Sequence, residues 1–206
     1  MRRPALLSAL ALAAACDPVD PTSATPDGLD RAVAVAEASF HGHVVALETR
    51  MSREDADAPS MPYTFVTWRV DAPIAGVAAD EEVTLRFLGG PTPSGLVLEV
   101  SHLPRFALGD EAVVFAHRNG EHACPLVGCA RGLVRVTDGG VAHAAVLAAG
   151  VDPEVRRGGA VPVGELVAAA VALADALPPA PGIQRLEIDR TYGPTVTDPS
   201  TDEVPR

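Results

Sequence analysis

The sequence predicts a mainly β fold, a small barrel or sandwich of about seven strands with a short N-terminal helix and a longer C-terminal helix. Apolar and polar residues alternate in several short segments, as at Val83, Leu85 and Phe87, and this is the period of a strand with one buried face. Turn signals such as Asn119-Gly120 separate these segments. A segment near the C-terminus has helical spacing instead. We therefore expect one β-rich domain with a C-terminal helix over residues 29–177.

Residues 1–15 have the pattern of an export signal. Arg2 and Arg3 make the start positive, and residues 5–15 are apolar and small. This stretch is shorter than the roughly 20 residues that span a bilayer, but it suits the core of a signal peptide. It ends in Leu12-Ala13-Ala14-Ala15-Cys16, which resembles the lipobox of bacterial lipoproteins.

The lipobox resemblance implies cleavage before Cys16 and lipidation of that cysteine. The partner of Cys16 would then be a lipid bilayer, and the protein would lie in the cell envelope, on the outer side of the inner membrane or at the outer membrane. Ala13 stands where the family usually has leucine, with Leu12 one position earlier. An ordinary signal peptide that contains a cysteine is the alternative. Residues 16–28 are rich in proline and small polar residues, and we predict a disordered tether after the lipidated cysteine.

The predicted domain begins with an alanine-rich helix over residues 29–38, started near Asp30. Strands follow, and several are rich in β-branched or aromatic residues. Their predicted ranges are 43–49, 63–70, 83–87, 96–100, 112–116, 133–136 and 141–147.

The C-terminal helix is predicted from apolar residues at helical spacing between Val163 and Ala174. Pro178 and Pro179 end it. Residues 178–206 contain many prolines and polar side chains, so we predict a largely disordered tail.

The net charge excludes one class of partner. The chain carries a formal charge of −11 and has no lysine. Nucleic-acid binding requires clustered cationic side chains that contact phosphates, so we expect no nucleic acid. Electrostatic docking on anionic lipid is disfavoured for the same reason.

The segment from residue 40 to residue 136 resembles an uncharacterised group of secreted bacterial β-rich proteins. The matching motifs are turns and core positions, including Phe40-His41-Gly42-His43-Val44, Leu88-Gly89-Gly90 and Leu108-Gly109-Asp110-Glu111. The order of strands and Gly-Asp turns is distantly similar to that of the netrin-like domain of metalloproteinase inhibitors, an OB-type barrel. This similarity implies a barrel-like fold and offers an inhibitor or accessory of an extracellular protease as an alternative function. The cysteine framework of those inhibitors is missing.

Cys124 and Cys129 form the most specific pair in the domain. If Cys16 is lipidated, these two remain as an even pair in a compartment that permits disulfides. We expect a structural disulfide. Free thiols, a redox pair or part of a metal site are the alternatives, although four intervening residues do not match the Cys-x-x-Cys redox spacing.

Four histidines could bind a metal. Strand alternation puts His41 and His43 on one face, while His117 and His122 flank the Asn119-Gly120 turn near Cys124. Solvated side chains beside turns are the simpler interpretation, and we predict neither a metal site nor a cofactor. A metal-binding protein or enzyme that uses His and Cys between residues 117 and 129 stays as an alternative.

Other candidate residues have simpler structural interpretations. Ser94 lacks the Gly-x-Ser-x-Gly context of a nucleophile, Asp110-Glu111 lies at a strand entrance, and Gly89-Gly90 lacks the helix and lysine of a phosphate loop. The aromatic residues Tyr63, Phe65 and Trp68 could form a stacking surface, but we expect them in the core or half-buried on their strand. We therefore predict no catalytic residues and a non-enzymatic, membrane-anchored binding module, with an envelope or secreted protein as a further partner.

Overall fold

The computed structural model describes residues 28–53, 59–137, 139–143 and 160–196. The predicted signal peptide, the lipidated Cys16 and nearly all of the tether lie outside these residues. Ten strands are described: β1 (Ala38–Ser52), β2 (Pro62–Ala75), β3 (Glu82–Leu88), β4 (Gly90–Pro91), β5 (Val97–Leu98), β6 (Glu111–Ala116), β7 (Leu133–Thr137), β8 (Val141–His143), β9 (Ala160–Pro162) and β10 (Tyr192–Thr195). The helices are α1 (Leu29–Val35), α2 (Val163–Asp175) and the one-turn α3 (Ile188–Thr191), with a 3-10 turn at Cys129–Gly132.

The mainly β prediction is confirmed. Eight antiparallel strands form one sheet in the order β3-β2-β1-β6-β7-β8-β9, and β10 pairs with the end of β1. β4 and β5 form a separate two-stranded hairpin. In the described ranges β3 and β9 are not joined, so the sheet is open and not a closed barrel. From β9 the chain turns directly into α2, which lies against β2, β8 and β9.

Two helices cover one face of the sheet, which we call the helix-covered face. α1 and α2 pack there around Val113, Phe115 and Val134. Leu29 of α1 and Leu166 of α2 are fully buried. The predicted short N-terminal helix and longer C-terminal helix are confirmed. Each helix turns one apolar stripe toward the same strands.

The opposite face encloses a second core built by strand alternation. Phe40, Val66, Trp68, Leu85 and Val114 all point into it. The Trp68 ring meets Phe40 and Phe106 edge-on, with ring centroids 6.3 and 5.8 Å apart. The loop that carries Phe106 therefore closes this core on the side away from the helices.

The predicted strand over residues 96–100 is wrong in length, because only Val97 and Leu98 pair, with Pro91 and Gly90. Alternation alone could not show that β4, the strand opposite them, is only two residues long. The first strand is longer than predicted and reaches Ser52. Residues 144–147 of the last predicted strand lie outside the described residues.

The predicted disordered tail is wrong for residues 178–196. Residues 183–195, which we call the strap, run along β3 and end as β10 on β1. Tyr192 is 5% exposed and packs on Phe65, with ring centroids 4.8 Å apart. Ile183 adds an apolar contact with the opposite-face core, and polar partners supply others, so apolar content alone did not indicate order. Residues 197–206 lie outside the described residues.

Ionic contacts reinforce the strap where it meets β1. Arg50 Nη1 donates to Asp189 Oδ1 at 2.6 Å, and its Nε donates to Glu48 Oε1 at 2.5 Å. The hydrogen bond to Glu48 raises the pKa of Arg50, partial burial opposes this, and the bond to Asp189 adds to it. The Thr195 hydroxyl bonds to Glu48 as well. Arg50 and Glu48 of β1 therefore each contact a residue of the strap.

Candidate functional site

A row of histidines and carboxylates crosses three adjacent strands on the helix-covered face. His41 Nε2 lies 2.7 Å from Glu111 Oε1 of β6, and His43 Nδ1 lies 2.9 Å from Asp71 Oδ2 of β2. His43 is also the direct cross-strand neighbour of Glu111. The predicted placement of both imidazoles on one face is thus observed, because residues two apart on a strand share a face. Their carboxylate partners were not foreseen.

Gly42 makes this arrangement possible. A Cβ atom at this position would lie 2.3 Å from the carbonyl oxygen of Arg69. The pairing of β1 with β2 changes register between His41 and Gly42, as at a β-bulge. The missing side chain therefore lets β2 approach closely and brings Asp71 within reach of His43.

The chemical capacity of this row is limited. Each histidine is engaged with a carboxylate, and no hydroxyl or thiol nucleophile is bonded to either one in the described residues. Within the same ranges, no three His, Cys, Asp or Glu side chains are grouped so as to hold a metal ion. His–carboxylate pairs of this kind fix side-chain orientation and join neighbouring strands.

The residues between 117 and 129 are not brought together as metal ligands. Cys124 and Cys129 lie at disulfide distance, with Cα atoms 5.6 Å apart, inside the usual range for a bridge. His122 Nε2 instead lies 3.1 Å from Arg118 Nη1. The backbone N–H of His117 donates to the Pro125 carbonyl at 2.8 Å.

A buried polar cluster around Asn119 was missed by sequence reasoning. Asn119 Oδ1 accepts from the Arg86 N–H at 3.0 Å, and its Nδ2 donates to the carbonyls of Thr84 and Gln184 at 2.9 and 3.0 Å. Asn119 is fully buried. Its side chain therefore satisfies the free edge of β3 as a strand would and attaches the strap. The Asn-Gly dipeptide signalled only the turn.

Arg86 links the same cluster to the aromatic residues. Its guanidinium lies 4.4 Å from the centre of the Tyr63 ring, and Nη1 donates to the Tyr192 hydroxyl at 2.6 Å. Phe65 and Trp68 are each 1% exposed. The expected core placement of Phe65 and Trp68 is observed, and their burial leaves no open stacking surface there.

The other candidates have local structural partners. The Ser94 hydroxyl lies 2.9 Å from the Thr92 hydroxyl in the β4–β5 turn. Asp110 Oδ2 accepts from the Ala107 N–H and from Arg135 Nη1, at 3.0 and 2.8 Å. A Cβ at Gly90 would lie 2.7 Å from the Thr64 hydroxyl oxygen. Each candidate therefore serves a turn or a close approach of the backbone.

An exposed apolar surface lies beside the opposite-face core. Leu96 and Val97 of the β4–β5 hairpin are 70% and 60% exposed, and Leu108 is 67% exposed. The N–H of Gly109 donates to the Val44 carbonyl, so the Leu108 loop meets β1 there. We call Leu47, Leu96, Val97 and Leu108 the apolar rim.

The two loops of the apolar rim flank a single stretch of β1. The base of the hairpin at Gly90 packs on Thr49, five residues beyond Val44 and hence roughly 17 Å along the strand. Leu47 lies between these two points and shares the face of its cross-strand neighbour Val66. The rim therefore lines one side of the domain. Leu47, Leu96 and Val97 lie in ranges predicted as strands and Leu108 does not, and the exposure of these side chains was not predicted.

Comparison of the chain with protein-family models, with curated proteins and with solved structures finds no match in any of the three. Among the described helices, none has the length and apolar character needed to cross a bilayer. The class of protein is thus defined by its own geometry, as an open antiparallel β domain with two helices on one face.

Proposed function

We propose that this protein is an exported, lipid-anchored and non-catalytic interaction module of the cell envelope, and that the apolar rim is its contact surface. The exposure of Leu96, Val97 and Leu108 carries this proposal. The two loops carry these exposed side chains beside the same stretch of β1, and exposed apolar patches often mark interaction sites because leaving them in water is unfavourable.

The described hydrogen bonds hold both loops of the rim through backbone and polar groups. The hairpin is held by backbone pairing of Gly90 with Leu98 and by hydrogen bonds within its turn. The Leu108 loop is held by Asp110, which accepts from the Ala107 N–H and from Arg135. Side chains that are costly in water and add little to packing have a reason to be retained if they contact another component.

A non-catalytic role is supported by the use of the polar residues. His41, His43 and Asp110 are engaged in pairs that join neighbouring strands or hold turns. Arg86 and Asn119 hold the strap. These partners account for the candidate catalytic groups as structural elements.

The anchor is supported by the lipobox-like Leu12–Cys16 sequence alone. Mass spectrometry of the N-terminal peptide of protein purified from membranes tests this part. The expected mass is that of a chain that begins at an acylated Cys16. An unmodified Cys16 inside an intact or differently cleaved peptide would contradict the anchor.

In-cell photo-crosslinking tests the contact surface. A photoreactive amino acid at Val97 is expected to give covalent adducts with one envelope component. The matched control is Ala79, an exposed residue in the turn at the other end of β3. Adduct formation from both positions alike, or from neither, would contradict the proposal.

A further inference from the structure

The proposed contact surface leaves its partner open, and the hairpin indicates one. We infer that the tip of the β4–β5 hairpin enters the lipid bilayer, with Leu96 and Val97 among the acyl chains near the headgroups. This inference rests on the proposed function of the apolar rim. It names the bilayer itself, and not a second protein, as what these two residues contact.

The charge pattern favours lipid over protein. Residues 87–98 contain no charged side chain and no histidine, although 21% of the chain is charged. Charged groups are costly in a bilayer interior, whereas protein interfaces usually have a polar rim around their apolar centre. An uncharged hairpin with two exposed apolar residues at its tip therefore suits a bilayer better than a protein groove.

Hydrogen bonds within the turn hold the tip of the hairpin. The Thr92 N–H and hydroxyl both donate to the Leu96 carbonyl, at 2.7 and 2.9 Å, and the Gly95 N–H donates to the Thr92 carbonyl at 2.9 Å. Pro91 and Pro93 have no N–H to satisfy. Because lipid offers no partners to polar groups, each of these internal bonds lowers the cost of placing the turn at the boundary between headgroups and acyl chains.

The nearest charges set the depth of insertion. Glu99 Oε1 accepts from Arg105 Nη2 at 2.6 Å, and both side chains are exposed. Glu99 follows Val97 by two residues, or roughly 7 Å of strand. An ion pair at headgroup level would thus leave the hairpin tip about 5–10 Å into the interface, the depth typical of interfacial segments.

Fluorescence quenching by brominated lipid tests this inference. The full chain carrying Val97→Trp is expressed with its own N-terminal residues, purified from membranes and reconstituted into phosphatidylcholine vesicles with brominated acyl chains. Ala79→Trp is the matched control, since Ala79 is exposed at the opposite end of β3. The native Trp68 is 1% exposed in the core and gives the same background in both proteins.

Insertion predicts a loss of emission for Val97→Trp in brominated vesicles, with no comparable loss for Ala79→Trp. The loss should not depend on salt, because no charge in the hairpin contributes. Equal quenching of the two proteins, or none, overturns the inference. If a photoreactive group at Val97 still captures one envelope protein in cells, the contact surface stands without the bilayer. If it captures nothing and quenching is also absent, both proposals fall.

Discussion

The strap and the β4–β5 hairpin are two short segments that pack beside the sheet, and they differ in burial. The strap buries an aromatic side chain, whereas the hairpin exposes its apolar tip. The strap is largely polar, yet Tyr192 is 5% exposed and the Gln184 carbonyl is bonded to a buried asparagine. The hairpin carries Leu96 and Val97, which are 70% and 60% exposed. Specific side-chain partners therefore bury parts of the polar strap, whereas the apolar tip of the hairpin stays exposed.

The largest expected effect comes from removing the aromatic anchor of the strap. Tyr192→Ala deletes a ring that packs edge-on against Phe65 and Tyr63 and frees Arg86 Nη1. We expect the free energy of unfolding to fall by about 4 kcal/mol, as for other buried aromatic truncations. Urea denaturation measures it.

Tyr192→Phe is the control for that change. It keeps the ring contacts and removes only the hydroxyl that accepts from Arg86, so a smaller loss of about 1–3 kcal/mol is expected. If Tyr192→Ala were no worse than Tyr192→Phe, the strap would not be anchored by the ring and the comparison with the hairpin would fail.

Asn119→Ala is expected to release the strap from β3. The substitution leaves the Arg86 N–H and the carbonyls of Thr84 and Gln184 without their partner. We expect a loss of about 3 kcal/mol, because unsatisfied buried polar groups are costly. Hydrogen–deuterium exchange should become faster in residues 183–195 and in β3. Unchanged exchange in the strap would show that Asn119 serves the turn alone.

Opening the Cys124–Cys129 pair should have a smaller effect. A bridge across five positions of sequence stabilises the fold by about 2 kcal/mol in the chain-entropy model. We expect the Cys124→Ser/Cys129→Ser protein to lose that amount and to keep the strap protected. Thiol alkylation of the unfolded wild type, without reductant, should leave both cysteines unmodified. Their modification under those conditions would contradict a formed disulfide.

The smallest effect on stability is expected at the hairpin tip. Leu96→Ser/Val97→Ser changes exposed side chains, and such substitutions usually alter the free energy of unfolding by no more than about 0.5 kcal/mol each. Leu177→Ser, at another exposed leucine, is the matched control. A loss comparable to that of Tyr192→Ala would mean that the hairpin residues are part of the core.

Local sequence signals predicted the elements that depend on neighbours along the chain. Alternation at Val83, Leu85 and Phe87 gave β3, and helical spacing gave α2. The strap could not be predicted in this way, because its partners Arg86 and Asn119 are far away in sequence and polar. Apolar alternation near Leu96 suggested a buried strand, but burial depends on whether another element covers the residues.

The candidate sites also combine features that local sequence predicts with features that depend on distant residues. Placing His41 and His43 on one face required only strand periodicity. Their engagement by Glu111 and Asp71 depends on register and on the bulge at Gly42, which the sequence did not reveal. The apolar rim joins two loops through β1, and its formation is likewise a property of the fold.

The most direct test of the contact surface measures both adduct formation in cells and thermal stability for the same variant. A photoreactive amino acid at Leu108 reports on the rim while Leu96→Ser/Val97→Ser removes the hairpin's apolar tip. Our account predicts that adduct formation in cells falls strongly while the melting temperature stays within about 2 °C of the unsubstituted protein. Leu177→Ser should leave both unchanged. Undiminished adducts from Leu108, or a large fall in melting temperature, would contradict the claim that the apolar rim is one contact surface.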